Sequence, residues 1–134
     1  MLEKKRIIEN IIKQYKDDFI IKKIDGNFYF DTPGNIMRYL LILNNNNINS
    51  LKDKKSIILH LFNKYKLNNN QEILAFISFL IELFYNELSM KNNDNLNLYF
   101  VNKFKLLKQI DDMKKFNLDK KNLFVSLQKT LQNE

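Results

Sequence analysis

Residues 71–90, QEILAFISFLIELFYNELSM, decide the fold. Ile73, Leu74, Phe76, Ile77, Phe79, Leu80, Ile81, Leu83, Phe84 and Leu88 put apolar side chains on nearly every side of one helix. A helix that is apolar all round has to be covered by other elements, so it belongs in the middle of a bundle. Its continuous run, residues 73–81, is about half the length of a bilayer span, and Glu82 ends it. The stretch therefore predicts a core helix of a soluble protein with no membrane partner. The cytoplasm is the default location.

The neighbouring segments read as the helices that cover it. Residues 2–18 carry Ile7, Ile8, Ile11, Ile12 and Tyr15 at helical spacing. Asp31 or Thr32 can cap a second helix with Pro33 in its first turn, running through Ile36, Met37, Tyr39, Leu40, Leu41 and Leu43 to the Asn run 44–47. Ser50 can cap a third, with Ile57, Ile58, Leu61, Phe62 and Tyr65 as its stripe. A fifth helix, about 96–116, points Tyr99, Phe100, Phe104, Leu107, Ile110 and Met113 inward. A sixth, about 119–131, buries Leu123, Phe124, Leu127 and Leu131. Residues 19–30 differ. Asp25-Gly26 between apolar flanks is a hairpin signal, so a short β-hairpin is allowed there. The expected fold is an all-α bundle of about five to six antiparallel helices, with that hairpin as its one β candidate.

Composition narrows the function. The chain has 134 residues, 45% hydrophobic and 13% aromatic, enough for one compact unit. Two Gly and one Pro are too few for the frequent turns of a sandwich or barrel. Without Cys, neither disulfides nor thiolate metal sites can form. The start of the chain lacks the apolar run of a signal peptide. The net charge of +7 invites a nucleic-acid reading. That charge comes from Lys, with only Arg6 and Arg38 among the guanidinium groups that read phosphates and bases best. Lys, Asn and Ile also share A/T-rich codons, so direct DNA contact is expected to be weak or absent.

No enzyme can be assembled from the remaining chemistry. His60 is the single histidine and sits beside Leu59, Leu61 and Phe62, which reads as a partly buried structural residue. Asp17-Asp18 and Asp111-Asp112 are adjacent pairs, and neighbours on a helix point in different directions. Both glycines are isolated, so there is no phosphate-cradling loop. The chain is expected to have no catalytic residue, cofactor, metal or small-molecule substrate. Lys114, Lys115, Lys120 and Lys121 flank the turn at Asn117 as a basic corner, a candidate phosphate contact that reads more simply as solvated charge.

From about Thr32 to Leu131 the chain resembles the C-terminal part of the bacterial DNA polymerase III clamp-loader δ′ subunit and its γ/τ relatives. Three segments carry the resemblance. TPGNIMRYL, residues 32–40, is similar to the helix that closes the family's lid subdomain. EILAFISFLIELFYNEL, residues 72–88, is similar to the long collar helix. LLKQIDDMKKFNLDKKNLFVSLQKTL, residues 106–131, resembles the closing helix pair, with Asn117 and Asn122 in its turn region. The resemblance implies a lid-like segment, 1–48, followed by a helical collar-like domain, 49–134. It also implies a non-catalytic, stator-like role through association with other clamp-loader subunits, in a complex whose parent has DNA-directed DNA polymerase activity. Asn35 stands about where catalytic relatives carry a nucleotide-sensing arginine. The chain departs from the family in lacking a phosphate loop, a zinc-binding Cys cluster and an arginine-finger motif. Tyr85, Tyr99 and Phe100 are the aromatics expected at a subunit interface. Two other readings remain, a phage-type tail-assembly chaperone resting on the 19–30 hairpin and a small basic nucleic-acid-binding protein.

Overall fold

The computed structural model describes residues 2, 3, 6, 7, 10, 32–48, 52–116 and 119–132. Contacts divide the chain into two compact units, Met1–Lys52 and Asp53–Glu134. Among the described residues every regular element is helical, so the protein is an all-α bundle. The hairpin expected at 19–30 lies outside the described residues.

In the first unit, Leu2, Glu3, Arg6, Ile7 and Asn10 are helical. Helix α1 spans Pro33–Asn45. Thr32 caps it, its hydroxyl oxygen accepting from the Asn35 N–H at 3.3 Å, and Pro33 lends its fixed φ to the first turn. Ile36, Tyr39, Leu40 and Leu43 recur at three and four residues and are buried, while Leu41 is exposed. Asn35 sits in this first turn.

The second unit holds α2 (Lys54–Asn68), α3 (Gln71–Lys91), a single 3₁₀ turn (Asn93–Asn95), α4 (Leu96–Phe116) and α5 (Lys120–Gln132). Its packing follows chain order. α2 lies on α3, α3 on α4, α4 on α5, and α5 returns to α2. α3 buries ten side chains, from Ile73 to Tyr85; along that stretch only Ala75, Ser78 and Glu82 reach solvent, while Met90 in its last turn is exposed. By length and hydropathy alone α3 could cross a membrane, but half of its most apolar window is buried inside the protein. Phe62 of α2 stacks on Phe124 of α5 with centroids 5.8 Å apart. The Ser126 hydroxyl of α5 donates to Gln109 Oε1 of α4 at 2.8 Å.

Short polar side chains set where each helix stops. Asn69 takes the left-handed conformation at φ 54° and ψ 30° as the C-cap of α2. Asn70 follows as the N-cap of α3, accepting from the Glu72 N–H at 2.9 Å. Asn tolerates the first role better than most residues and is favoured in the second, so two residues reverse the chain. Asn92 and Asp119 accept from Asp94 and Lys121 in the same way. The cap of α2 is Asp53, not the expected Ser50, which lies outside the described residues. Asp53 accepts from both the N–H and the hydroxyl of Ser56, at 3.2 and 2.8 Å. That pairing explains the preference, because one carboxylate satisfies two donors. The Ser56 hydroxyl first, then its N–H, holds the Asp53 carboxyl below the usual carboxylate range.

One charged group is buried with its partner. Lys54 Nζ reaches Glu87 Oε1 at 2.7 Å, with the side chains 7% and 29% exposed, and joins the start of α2 to the last turns of α3.

Two outcomes follow for urea unfolding followed by circular dichroism. Glu87→Leu takes the carboxylate from a buried ammonium and should cost about 2–3 kcal/mol, less than a fully buried pair because Glu87 keeps some water. Lys54→Met leaves only the wetter partner and should cost less than about 1 kcal/mol. Equal losses would contradict this asymmetry. Asp53→Ala should cost about 1 kcal/mol at pH 7. Because the folded carboxyl titrates below its unfolded value of about 3.9, its contribution is complete above that pH and is lost as pH falls through the folded value. The gap between wild type and Asp53→Ala should therefore close in acid. A gap independent of pH would contradict the charged cap.

Candidate interaction surface

Helix α4 has two apolar faces, and the unit buries one. Tyr99, Leu106, Ile110 and Met113 follow each other by seven, four and three residues and are all buried. Leu96, Phe100 and Phe104, spaced by four, are 45%, 66% and 61% exposed, with Val101 beside them at 59%. At 100° per residue this second row is rotated by roughly 110° from the buried seam, so no single neighbour can cover both. Phe100 and Phe104 were expected to point inward with Tyr99, and their helical phase puts them outside. Leu107 is half-buried between the two faces.

The same geometry separates the three aromatics expected at an interface. Tyr85 is 1% exposed and Tyr99 8%, and their rings meet across the α3–α4 seam with centroids 6.4 Å apart. Phe84 packs edge-on against Tyr85 at 5.1 Å. These tyrosines are core residues, leaving Phe100 as the exposed member of the set. Leu96, Val101 and Phe104 were missed as surface residues, although their phase relative to Ile110 and Met113 was available in the sequence.

Beside the exposed row runs an open groove of about 310 Å³. Asn86 and Ser89 of α3 form one wall, and Leu96, Phe100 and Lys103 of α4 the other, with Tyr85 among the lining residues. The Ser89 hydroxyl donates to the Tyr85 carbonyl oxygen at 2.9 Å, which turns it against its own helix and leaves the wall low.

The basic corner is partly occupied. Lys115 pairs with Asp111 at 3.0 Å, and that carboxylate, first by hydrogen bond and then by charge, holds the ammonium above its usual range. The Lys120 ammonium lies 5.2 Å from the centre of the Tyr65 ring. Lys114 and Lys121 are exposed. A second open cleft, near the turn between α4 and α5, has Asp112, Asp119, Met113 and Leu123 among its lining residues. His60 was expected to be partly buried, and α2 instead turns it to solvent, because Ile58, Leu61 and Phe62 take the inward positions around it. Among the described residues no group of three His, Cys, Asp or Glu is placed to hold a metal ion.

The class of the protein, by fold, is an all-α bundle. No family model matches the chain, and no solved structure does. A 66-residue stretch, 49% of the chain, is 41% identical to part of Merozoite surface protein P92 of Plasmodium falciparum (isolate 3D7). That stretch spans 8% of the relative's length.

Core and surface aromatics should respond differently to truncation. Tyr85→Ala should lower the unfolding free energy by about 3–5 kcal/mol, as for other large aromatic-to-alanine changes in cores. Phe100→Ser should change it by less than about 0.5 kcal/mol. A large loss from Phe100→Ser in the isolated chain would place that ring in the core.

Proposed function

We propose that the chain is a non-catalytic assembly unit, or part of one, of a DNA polymerase III clamp loader. In this reading it is a δ′-like, collar-type bundle that supports sliding-clamp loading by associating with other clamp-loader subunits through helix faces. The observation that carries the proposal is the exposed row on α4. A domain that buries Tyr85 and Tyr99, yet leaves Leu96, Phe100, Val101 and Phe104 in water, has apolar surface suited to a protein partner. The resemblance of residues 32–40, 72–88 and 106–131 supplies the identity of that partner. A catalytic role finds no support in an exposed lone His60 and a chain without Cys. A role on DNA is disfavoured because Lys115 and Lys120, half of the basic corner, already face Asp111 and the Tyr65 ring.

The test is to mix the full chain with purified γ/τ and δ clamp-loader subunits and to size the mixture by light scattering. The expected result is a stoichiometric complex that forms without ATP hydrolysis by this chain. Separate elution of the chain at every concentration would overturn the reading.

A further inference from the structure

We propose that the outer face of α4 pairs with the same face of a second copy of this chain, the two helices running antiparallel. This pairing goes beyond the clamp-loader reading and does not rest on it. Both associations use one row of side chains, so a clamp-loader subunit that docks there has to displace the second copy.

The face carries almost no polar group. Six residues between 96 and 104 are exposed, and Asn97 is the one polar residue among them. The other five, Leu96, Leu98, Phe100, Val101 and Phe104, are 45% to 66% exposed. At 100° per residue they spread over roughly 200° of the helix, so the whole outward side of its first turns is apolar. Elsewhere in this unit exposed large apolar residues occur one to a helix: Leu67 on α2, Met90 at the end of α3 and Val125 on α5. Single residues of that kind are ordinary on a protein surface, and a contiguous face is not.

The area suits a dimer. With about 200 Å² for a whole Phe side chain and somewhat less for Leu and Val, the exposed parts of Leu98, Phe100, Val101 and Phe104 come to on the order of 450 Å². A stable interface takes roughly 800 Å² from each partner, a little over half of it apolar. The face supplies that apolar share, and the polar residues around it supply the rim.

The order of charges makes the face complementary to itself when reversed. Asp94, exposed in the 3₁₀ turn, precedes the apolar residues. Lys105 and Lys108, also exposed, follow Val101 and Phe104 by one helical turn each and close the row. Further along, Asp111 is already paired with Lys115. With Val101 on the two-fold axis, residues equally far from it in either direction stand level across the pair. Asp94 then meets Lys108 of the second copy, Asn97 meets its Lys105 and Leu98 meets its Phe104. Lys103 is half-buried and turned by roughly 130° from the middle of the face, clear of the contact. A parallel pairing would instead set Asp94 against Asp94 and the lysines against each other, and like charges across an interface oppose it.

The test is sedimentation equilibrium of the full 134-residue chain over a range of concentrations. The expected result is a reversible monomer–dimer equilibrium. Val101→Ser/Phe104→Ser, which changes two exposed positions, should weaken the dimer tenfold or more, on the order of a central interface contact. Asp94→Lys and Lys108→Asp should each weaken it by roughly threefold or more, since each turns two attractive pairs into repulsive ones. Asp94→Lys/Lys108→Asp in one chain should recover the wild-type affinity, because the reversed helix restores opposite charges; such a rescue also shows that the single variants fold. A chain that stays monomeric up to about 1 mM would overturn the proposal. So would a dimer indifferent to Val101→Ser/Phe104→Ser, or a double charge swap that binds no better than the single ones. If the chain is monomeric and still joins clamp-loader subunits, the pairing falls and the clamp-loader reading stands. If it dimerises and no clamp-loader subunit binds it or dissociates it, the pairing stands and the clamp-loader reading falls.

Discussion

The demand that α3 be covered over most of its circumference organises the second unit. With ten buried side chains and, between Ile73 and Tyr85, only Ala75, Ser78 and Glu82 reaching solvent, the helix is stable only as the partner of others. α2 and α4 meet that demand from either side, and α5 closes the ring between them. Chain reversal at Asn69-Asn70 is tight because each Asn performs a different backbone task, one left-handed and one capping. The Lys54–Glu87 pair, buried at its lysine end, joins the start of α2 to the last turns of α3. A mismatch there would leave a buried ammonium without that carboxylate, which is costly.

Covering α3 leaves a remainder. α4 must turn Tyr99, Leu106, Ile110 and Met113 inward, and helical geometry then forces Leu96, Phe100 and Phe104 out. Among the described residues of this unit, no helix lies over that row. The proposed role in assembly is the functional use of this remainder. The buried and exposed rows occupy different faces of one helix, so the exposed row can be altered with little effect on stability.

Much of this was legible from spacing. The extent of α3 follows from its apolar residues and the Asn residues that bracket it, because a cap and a stop are local chemistry. The inward rows of α2 and α5 follow from the same periodicity. The caps were less clear, since Ser50 and Asp53 both precede the apolar stripe. The choice depends on Ser56, whose two donors only Asp53 is placed to satisfy. The surface was half legible. Counting aromatics shows that one bundle has more than it needs near the α3–α4 junction, but not which ones. Tyr85 and Tyr99 meet across a seam that exists only once the helices are packed, whereas Phe100 sits one residue, about 100° of rotation, away from that seam. Phase carries that information, and composition does not.

The central claim is that the outer face of α4 is the working surface of the protein. Amide hydrogen exchange, measured by mass spectrometry on the full chain with and without γ/τ clamp-loader subunit, tests it most directly. The account predicts slow exchange throughout α3 in both states, and slowed exchange on binding in α4 peptides covering residues 96–108 but not in α5. Protection that appears in α5 or α2 while α4 is unchanged would contradict it.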